Sequence, residues 1–249
     1  MSKLAGKNVV ILGATGSVGA TIVRRVVAEE ARALAVARGQ SALDRLAGEV
    51  SGLDVLALDA TSEDAPAAVF RAMTPDVLVV CGGARPPTAP VHELTWSQFS
   101  VNWESDVKMS FAFSKAALEM PLKGGSTVIL ISSGAALGGS PISGGYAGAK
   151  RTQMFLANYA QKESNRLQLG VRFMALAPAT IMPDTNLGRY AVEGYAKYLG
   201  VSPADFVSSM KSPATAVDVA NAVIDLASYP TAHSGSIFTA SPAGIATVP

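Results

Sequence analysis

A doubly wound α/β sheet with helices on both faces is the fold class predicted for this chain, and three observations predict it. Short β-branched apolar runs alternate with longer stretches whose apolar residues fall at helical spacing. A glycine-rich turn joins the first such run to the first helical stretch. No composition break, linker or repeat divides the 249 residues, so residues 1–249 read as a single domain.

Taken in order, residues 8–12 read as a buried strand and 18–30 as a helix. Residues 34–37 and 55–58 are further strands, separated by a short helical piece at 41–47. A helix over 64–73 leads to a strand at 77–81. Residues 82–90 hold three prolines and two glycines and read as a loop. Residues 95–120 read as one long helix closed by Pro121, followed by a strand at 127–132 and a glycine-rich loop at 134–145. A second long helix covers 146–166, a strand 171–177 and a loop 178–186. Short helices at 187–199 and 204–210, a helix at 214–227 and a strand at 236–239 complete the chain. The sum is a parallel sheet of about seven strands with right-handed crossovers.

The composition excludes several classes. Nineteen acidic and twenty basic residues leave a formal charge of +1, which gives no footprint for nucleic acid or an anionic membrane. Mean hydropathy is positive, but the longest apolar runs are strand-sized and far short of the roughly 20 residues of a spanning helix. The N-terminus enters a short strand rather than a signal-peptide apolar region. One cysteine, Cys81, excludes an internal disulfide and a thiolate metal cluster. Two histidines, His92 and His233, are too few for a histidine-built metal site. The expectation is a cytoplasmic protein without a metal.

The turn Gly13-Ala14-Thr15-Gly16-Ser17-Val18-Gly19 lies where a dinucleotide pyrophosphate would meet a helix N-terminus. Glycines there permit a tight turn, close backbone approach and close helix–sheet contact. An NAD site would place an acid about 20 residues on, at the end of the second strand. The sequence instead has Ala37 followed by Arg38, and a guanidinium suits a 2′-phosphate. NADP(H) is therefore the expected cofactor, the competing reading of Arg38 being a solvated surface residue. Asp59, just past the third strand, suits an adenine edge, though a strand-ending turn explains it equally.

Tyr146 and Lys150 stand four apart and share one face of the helix they open. Ser133 precedes Tyr146 by thirteen residues, at the carboxyl end of a strand, the ligand side of a parallel sheet. Carbonyl reduction needs a proton donor at the developing alkoxide. An ammonium beside a phenol stabilises the phenolate, and a serine hydroxyl can polarise the substrate oxygen. A Tyr-x-x-x-Lys alone recurs by chance; the serine at this spacing and the preceding glycine turn make it specific.

With these residues in place, the chain resembles the short-chain dehydrogenase/reductases, in their single-domain Rossmann branch, over essentially its full length. The resemblance implies a seven-stranded sheet and a catalytic set of Asn102, Ser133, Tyr146 and Lys150, with Asn102 holding a water that connects to the lysine. It implies a cofactor held by Gly13, Thr15, Gly16, Ser17, Val18, Gly19, Arg38, Asp59, Ala60, Gly82, Lys150, Pro178 and Thr180. It also implies a small-molecule carbonyl or alcohol substrate, and a homodimer or homotetramer formed through the two long helices, where Phe111, Phe113, Met154 and Phe155 look exposed. The chain departs from the family pattern at several places. Its glycine turn has Gly-x-x-Gly-x-x-Gly spacing, with Ser17 where a middle glycine is usual. Val80-Cys81-Gly82-Gly83 stands for Asn-Asn-Ala-Gly, Pro178-Ala179 for Pro-Gly, and Ser241-Pro242 for a Gly-Gly.

Residues 185–210 fall where the family keeps a substrate lid. Tyr190, Tyr195, Tyr198, Leu199 and Phe206 there suit a moderately apolar substrate, or ordinary helix packing. Arg189 and Lys197 read as surface charges. The leading functional reading is an NADP(H)-dependent carbonyl reductase or alcohol dehydrogenase with Tyr146 as general acid/base. A non-catalytic NADP(H) sensor and an NAD-using epimerase or dehydratase are the alternatives; Arg38 and the short region after Lys150 weigh against the last.

Overall fold

The computed structural model describes residues 2–120, 122–228 and 236–248. Pro121, assigned above to closing a helix, and His233 lie outside the described residues. The strands are β1 (Asn8–Leu12), β2 (Arg32–Ala37), β3 (Asp54–Ala57), β4 (Val77–Val80), β5 (Thr127–Ile131), β6 (Arg172–Pro178), β7 (Ile237–Ser241) and β8 (Gly244–Thr247). The helices are α1 (Ser17–Ala28), α2 (Gln40–Glu49), α3 (Ala65–Ala72), α4 (Trp96–Asn102), α5 (Lys108–Glu119), α6 (Ala135–Gly138), α7 (Tyr146–Arg166), α8 (Asn186–Leu199), α9 (Pro203–Ser209) and α10 (Ala216–Ser228).

All the strands form one sheet in the order β3-β2-β1-β4-β5-β6-β7-β8. Every pairing is parallel except β7 with β8. The order runs outward from β1 in both directions, so the chain changes direction between β1 and β4. In such sheets a crevice opens at that point, outside the carboxyl ends of the strands. The central strands are buried, β4 and β5 along their whole length and β1 from Val9 on, as strands covered on both faces must be. One apolar layer packs Ile22, Val23 and Val26 of α1 and Val219, Val223 and Leu226 of α10 on the sheet. The opposite layer holds Val69 of α3, Phe113 of α5, and Met154 and Ala157 of α7.

Four differences from the sequence reading have physical causes. The sheet has eight strands rather than about seven. The extra strand, β8, is a four-residue hairpin partner without a β-branched run, half-exposed at best, and carries no sequence signal. The long helix expected over 95–120 is two α-helices joined by a π turn, Trp103–Val107. The loop expected over 134–145 contains the single turn α6. Phe113 and Met154, which looked exposed, are core residues at 0% exposure, whereas Phe111 and Phe155 do face outward.

The first turn depends on the absence of side chains. Gly13 has φ +73°, and a Cβ on it would stand 2.5 Å from the Gly82 Cα. A Cβ on Gly19 would collide with the Gly13 carbonyl oxygen, so α1 can begin directly over the turn. Gly13→Ala combines left-handed backbone strain with a backbone clash and should lower stability by about 2 kcal/mol or more. Urea unfolding monitored by circular dichroism checks this; a midpoint equal to that of the unaltered chain would contradict it.

Candidate active site

A cavity of about 560 Å³ opens at the carboxyl ends of the central strands. Its walls include Gly16, Ser17, Val18 and Gly19 from the first turn, Gly82 after β4, Ser133 after β5, Tyr146 and Lys150 of α7, Pro178 at the end of β6 and Thr180 beyond it. The expected catalytic serine, tyrosine and lysine thus share one cavity with most of the expected cofactor residues.

Tyr146 is the first residue of α7, and the helix start is seated tightly. A Cβ on Gly145 would collide with the Phe99 carbonyl oxygen, so the helix packs directly on α4. One turn on, Lys150 is buried with its Nζ 5.6 Å from the Tyr146 ring centroid. That Nζ donates to the Ile131 carbonyl (3.0 Å) and pairs with Asp106 Oδ2 at 3.1 Å. The lysine's own carbonyl accepts from Ser132 Oγ (2.7 Å), which fixes α7 to the end of β5. Burial opposes the lysine's charge most strongly. The Asp106 carboxylate, then Tyr146 and Cys81, outweigh it and hold its pKa above the ordinary lysine value. Ser133 is half-buried, and its Oγ accepts from the Ala135 amide (3.2 Å) at the start of α6.

Asn102 does not reach the cavity wall in the way the other three do. Its Nδ2 donates to the Ala84 carbonyl (2.9 Å) and to Asp106 Oδ1 (3.2 Å), and its buried Oδ1 has no partner among the described residues. Asp106 stands between it and Lys150. Sequence reasoning missed this acid, although a signal existed. Asp106 lies three, four, seven and eleven residues before Met109, Ser110, Phe113 and Ala117, on the same buried stripe.

The cofactor set divides in two. Gly13 and Thr15 shape the turn without lining the cavity. Arg38, Asp59 and Ala60 do not line it either: they follow β2 and β3, and Ala60 is buried in the apolar core. Arg38 is exposed and makes no hydrogen bond or ion pair among the described residues. Asp59 Oδ1 accepts from the Thr61 amide (2.9 Å) and hydroxyl (2.8 Å). These bonds, with the nearby charges of Arg38 and Lys108, hold its pKa below the usual aspartate value despite slight desolvation. Among the described residues no group of three or more His, Cys, Asp and Glu is placed to hold a metal; His92 is exposed beside Glu93.

Of residues 185–210, where a lid was expected, the start and inner face of α8 (Asn186, Leu187, Gly188, Tyr190, Ala191 and Tyr195) line the cavity, and α9 does not. The Asn186 amide donates to Ser17 Oγ (3.1 Å), and the Tyr195 hydroxyl to Ser140 Oγ (2.6 Å). Tyr195 stacks on Phe206 at 5.4 Å, and Arg85 lies over the Tyr190 ring at 4.6 Å.

A family described as short chain dehydrogenase matches residues 7–194, which contain the glycine turn, Ser133, Tyr146 and Lys150. The chain belongs to the short-chain dehydrogenase/reductase family. A Bos taurus L-xylulose reductase is 30% identical over 112 residues, which are 43% of this chain and 46% of that protein, so the match spans about half the relative's length. Levodione reductase superposes with a TM-score of 0.82, and another short chain dehydrogenase/reductase family protein with 0.75. Each is 20% identical and covers 95% of this chain and 96% of the other. Membership implies a nicotinamide cofactor. The residues fit one, because the turn at Gly13, Gly16 and Gly19 leaves backbone bare where a pyrophosphate would approach a helix start. One family departure, Gly82 in place of alanine, also acquires a reason, as does the glycine kept at Gly83. A Cβ on Gly82 would meet Met109 Cε at 2.7 Å, and one on Gly83 would meet Asp106 Oδ2 at 2.6 Å.

Cys81, on the cavity wall, is a poor nucleophile. Burial pushes its thiol up to about 11, Asp106 adds to the rise, and Lys150 only partly offsets it. At pH 7 the thiolate fraction is then about 10⁻⁴. Iodoacetamide should label Cys81 at least about tenfold more slowly than glutathione at pH 8, with the rate still rising above pH 10. Mass spectrometry of the quenched protein checks this, and labelling as fast as the free thiol would refute it.

Proposed function

We propose that this chain is an NADP(H)-dependent oxidoreductase acting on a carbonyl/alcohol pair, with Tyr146 as the general acid/base. The observation that carries the reading is the convergence of Ser133, Tyr146 and Lys150 on the same cavity as the glycine turn. Gly16 to Gly19, Gly82, Pro178, Thr180 and Lys150 would hold the cofactor, which when bound supplies or accepts the hydride. Tyr146 gives its hydroxyl proton to the substrate oxygen in reduction and takes it back in oxidation. Lys150, charged and close, stabilises the phenolate that remains. Ser133 holds the substrate oxygen by hydrogen bonding.

Arg38 supports NADP(H) over NAD(H), since an unpaired, exposed guanidinium stands where no acid follows β2. Ile142, Pro86, Pro87, Leu187 and Tyr190 around the cavity favour a moderately apolar substrate. The names L-xylulose reductase and levodione reductase, borne by two of the similar proteins, are consistent with the carbonyl-reducing direction. Exposed Phe111 on α5 and Phe155 and Tyr159 on α7 support a homodimer or homotetramer. Among the described residues no helix is long and apolar enough to cross a membrane, and a cytoplasmic location belongs to the same proposal.

Parallel fluorescence titrations with NADPH and NADH test the cofactor assignment. The expected result is at least about tenfold tighter NADPH binding, reduced to parity by Arg38→Ala. Equal affinity in the unaltered chain would reverse it. In a screen of carbonyl compounds with NADPH, Tyr146→Phe should lower kcat by about 100-fold or more while leaving the NADPH Kd within about threefold. A near-normal rate would overturn the mechanism.

A further inference from the structure

Among the described residues, Asp106 and Lys150 are the buried charged side chains, and they face each other. The carboxylate is oriented before the lysine is considered. Its Oδ1 lies 3.0 Å from the Ala84 amide, 3.2 Å from Asn102 Nδ2 and 2.6 Å from Ser105 Oγ. This leaves Oδ2 for Lys150. An ammonium has three donors. On Lys150 one is used by the Ile131 carbonyl and one by Asp106, so the third is left for the cavity that the lysine lines.

We propose that Asp106 is a positioning residue that keeps Lys150 protonated in its buried setting and aims its remaining N–H at the cofactor and Tyr146. It does directly, by charge, what the family resemblance assigned to Asn102 acting through a water. The assignment rests on the proposed function, because Lys150 needs its charge only if Tyr146 exchanges a proton.

The titratable side chains facing Lys150 are Asp106 from the π turn, Tyr146 one turn back on α7 and Cys81 just past β4. Asp106 is the only carboxylate of the three. Without it, burial acts against the ammonium with no carboxylate to oppose it, only Tyr146 and Cys81. Gly83 provides a second handle, because a Cβ there would meet Asp106 Oδ2 at 2.6 Å and push the carboxylate away without removing any titratable group. Its backbone φ lies outside the left-handed region, so alanine is conformationally permitted.

The test uses the full chain with ¹³C-labelled lysine, following the Lys150 Cε signal by NMR from pH 6 to 11. The signal is assigned by its loss in Lys150→Met. Asp106→Asn should move the Lys150 titration down by about one pH unit or more. Gly83→Ala should move it the same way by less, and serves alone if Asp106→Asn does not fold. Asn102→Ala should shift it by less than half as much as Asp106→Asn. An unchanged titration in the Asp106 or Gly83 variant overturns the assignment, as does a shift in Asn102→Ala equal to that of Asp106→Asn. The readout needs no substrate. A shifted titration in a chain that reduces no carbonyl compound therefore supports the counter-ion and removes the proposed reaction. An unshifted one in an enzyme that still turns over removes the counter-ion alone.

Discussion

The site side of this molecule depends on how closely two backbone turns approach one another. β1 and β4 are neighbours in the sheet, and the chain leaves them through Gly13 and Gly82, whose backbones touch where side chains would otherwise be. That contact sets the height at which α1 starts. It also leaves room for Met109 of α5 against Gly82, and for Asp106 of the π turn against Gly83. From Asp106 the constraint passes to Lys150, and through the lysine's carbonyl to the end of β5. Small residues at a topological switch thus locate both the wall facing a pyrophosphate and the wall bearing the titratable groups.

The two walls differ in character. The turn wall offers bare backbone and the positive end of a helix, a diffuse attraction for phosphate that needs no charged side chain. The α7 wall carries a buried ion pair and a phenol, so its field is concentrated on a few atoms. Helix α8 is tied to the cavity rim by hydrogen bonds from Asn186 to Ser17 and from Tyr195 to Ser140. Each is worth only about 1 kcal/mol. Ser17, unusual at its place in the turn, accepts from the amide that starts α8.

The strands and long helices were legible because burial on both faces imposes apolar runs, and the helical stripe imposes its own spacing. Ser133, Tyr146 and Lys150 were legible because short chain separations carry them to one end of the sheet. What escaped had no such imprint. β8 is Gly-Ile-Ala-Thr with exposed positions, paired only by its hairpin. Phe113 and Phe111 differ by two residues and lie on opposite sides of one helix, and the π turn upstream rotates that helix so that Phe113 is the one facing inward. Asp106 was hidden for a related reason. An acid within a helix reads as solvated, and only the stripe of Met109, Ser110 and Phe113 betrays that it faces inward. Asn102 sits one turn before it, so sequence alone does not say which of the two meets the lysine.

The buried pair also bears on how durable the protein can be. Withdrawing a carboxylate and an ammonium from water costs several kcal/mol per ion, and their attraction only roughly offsets this. Well-packed apolar replacements for such pairs elsewhere leave proteins equally stable or more stable by about 1–4 kcal/mol. Lineages of this chain under selection for heat resistance alone would thus be free to let the pair decay into hydrocarbon. Its persistence would mark those still selected for chemistry, and its loss would mark a scaffold retired to binding.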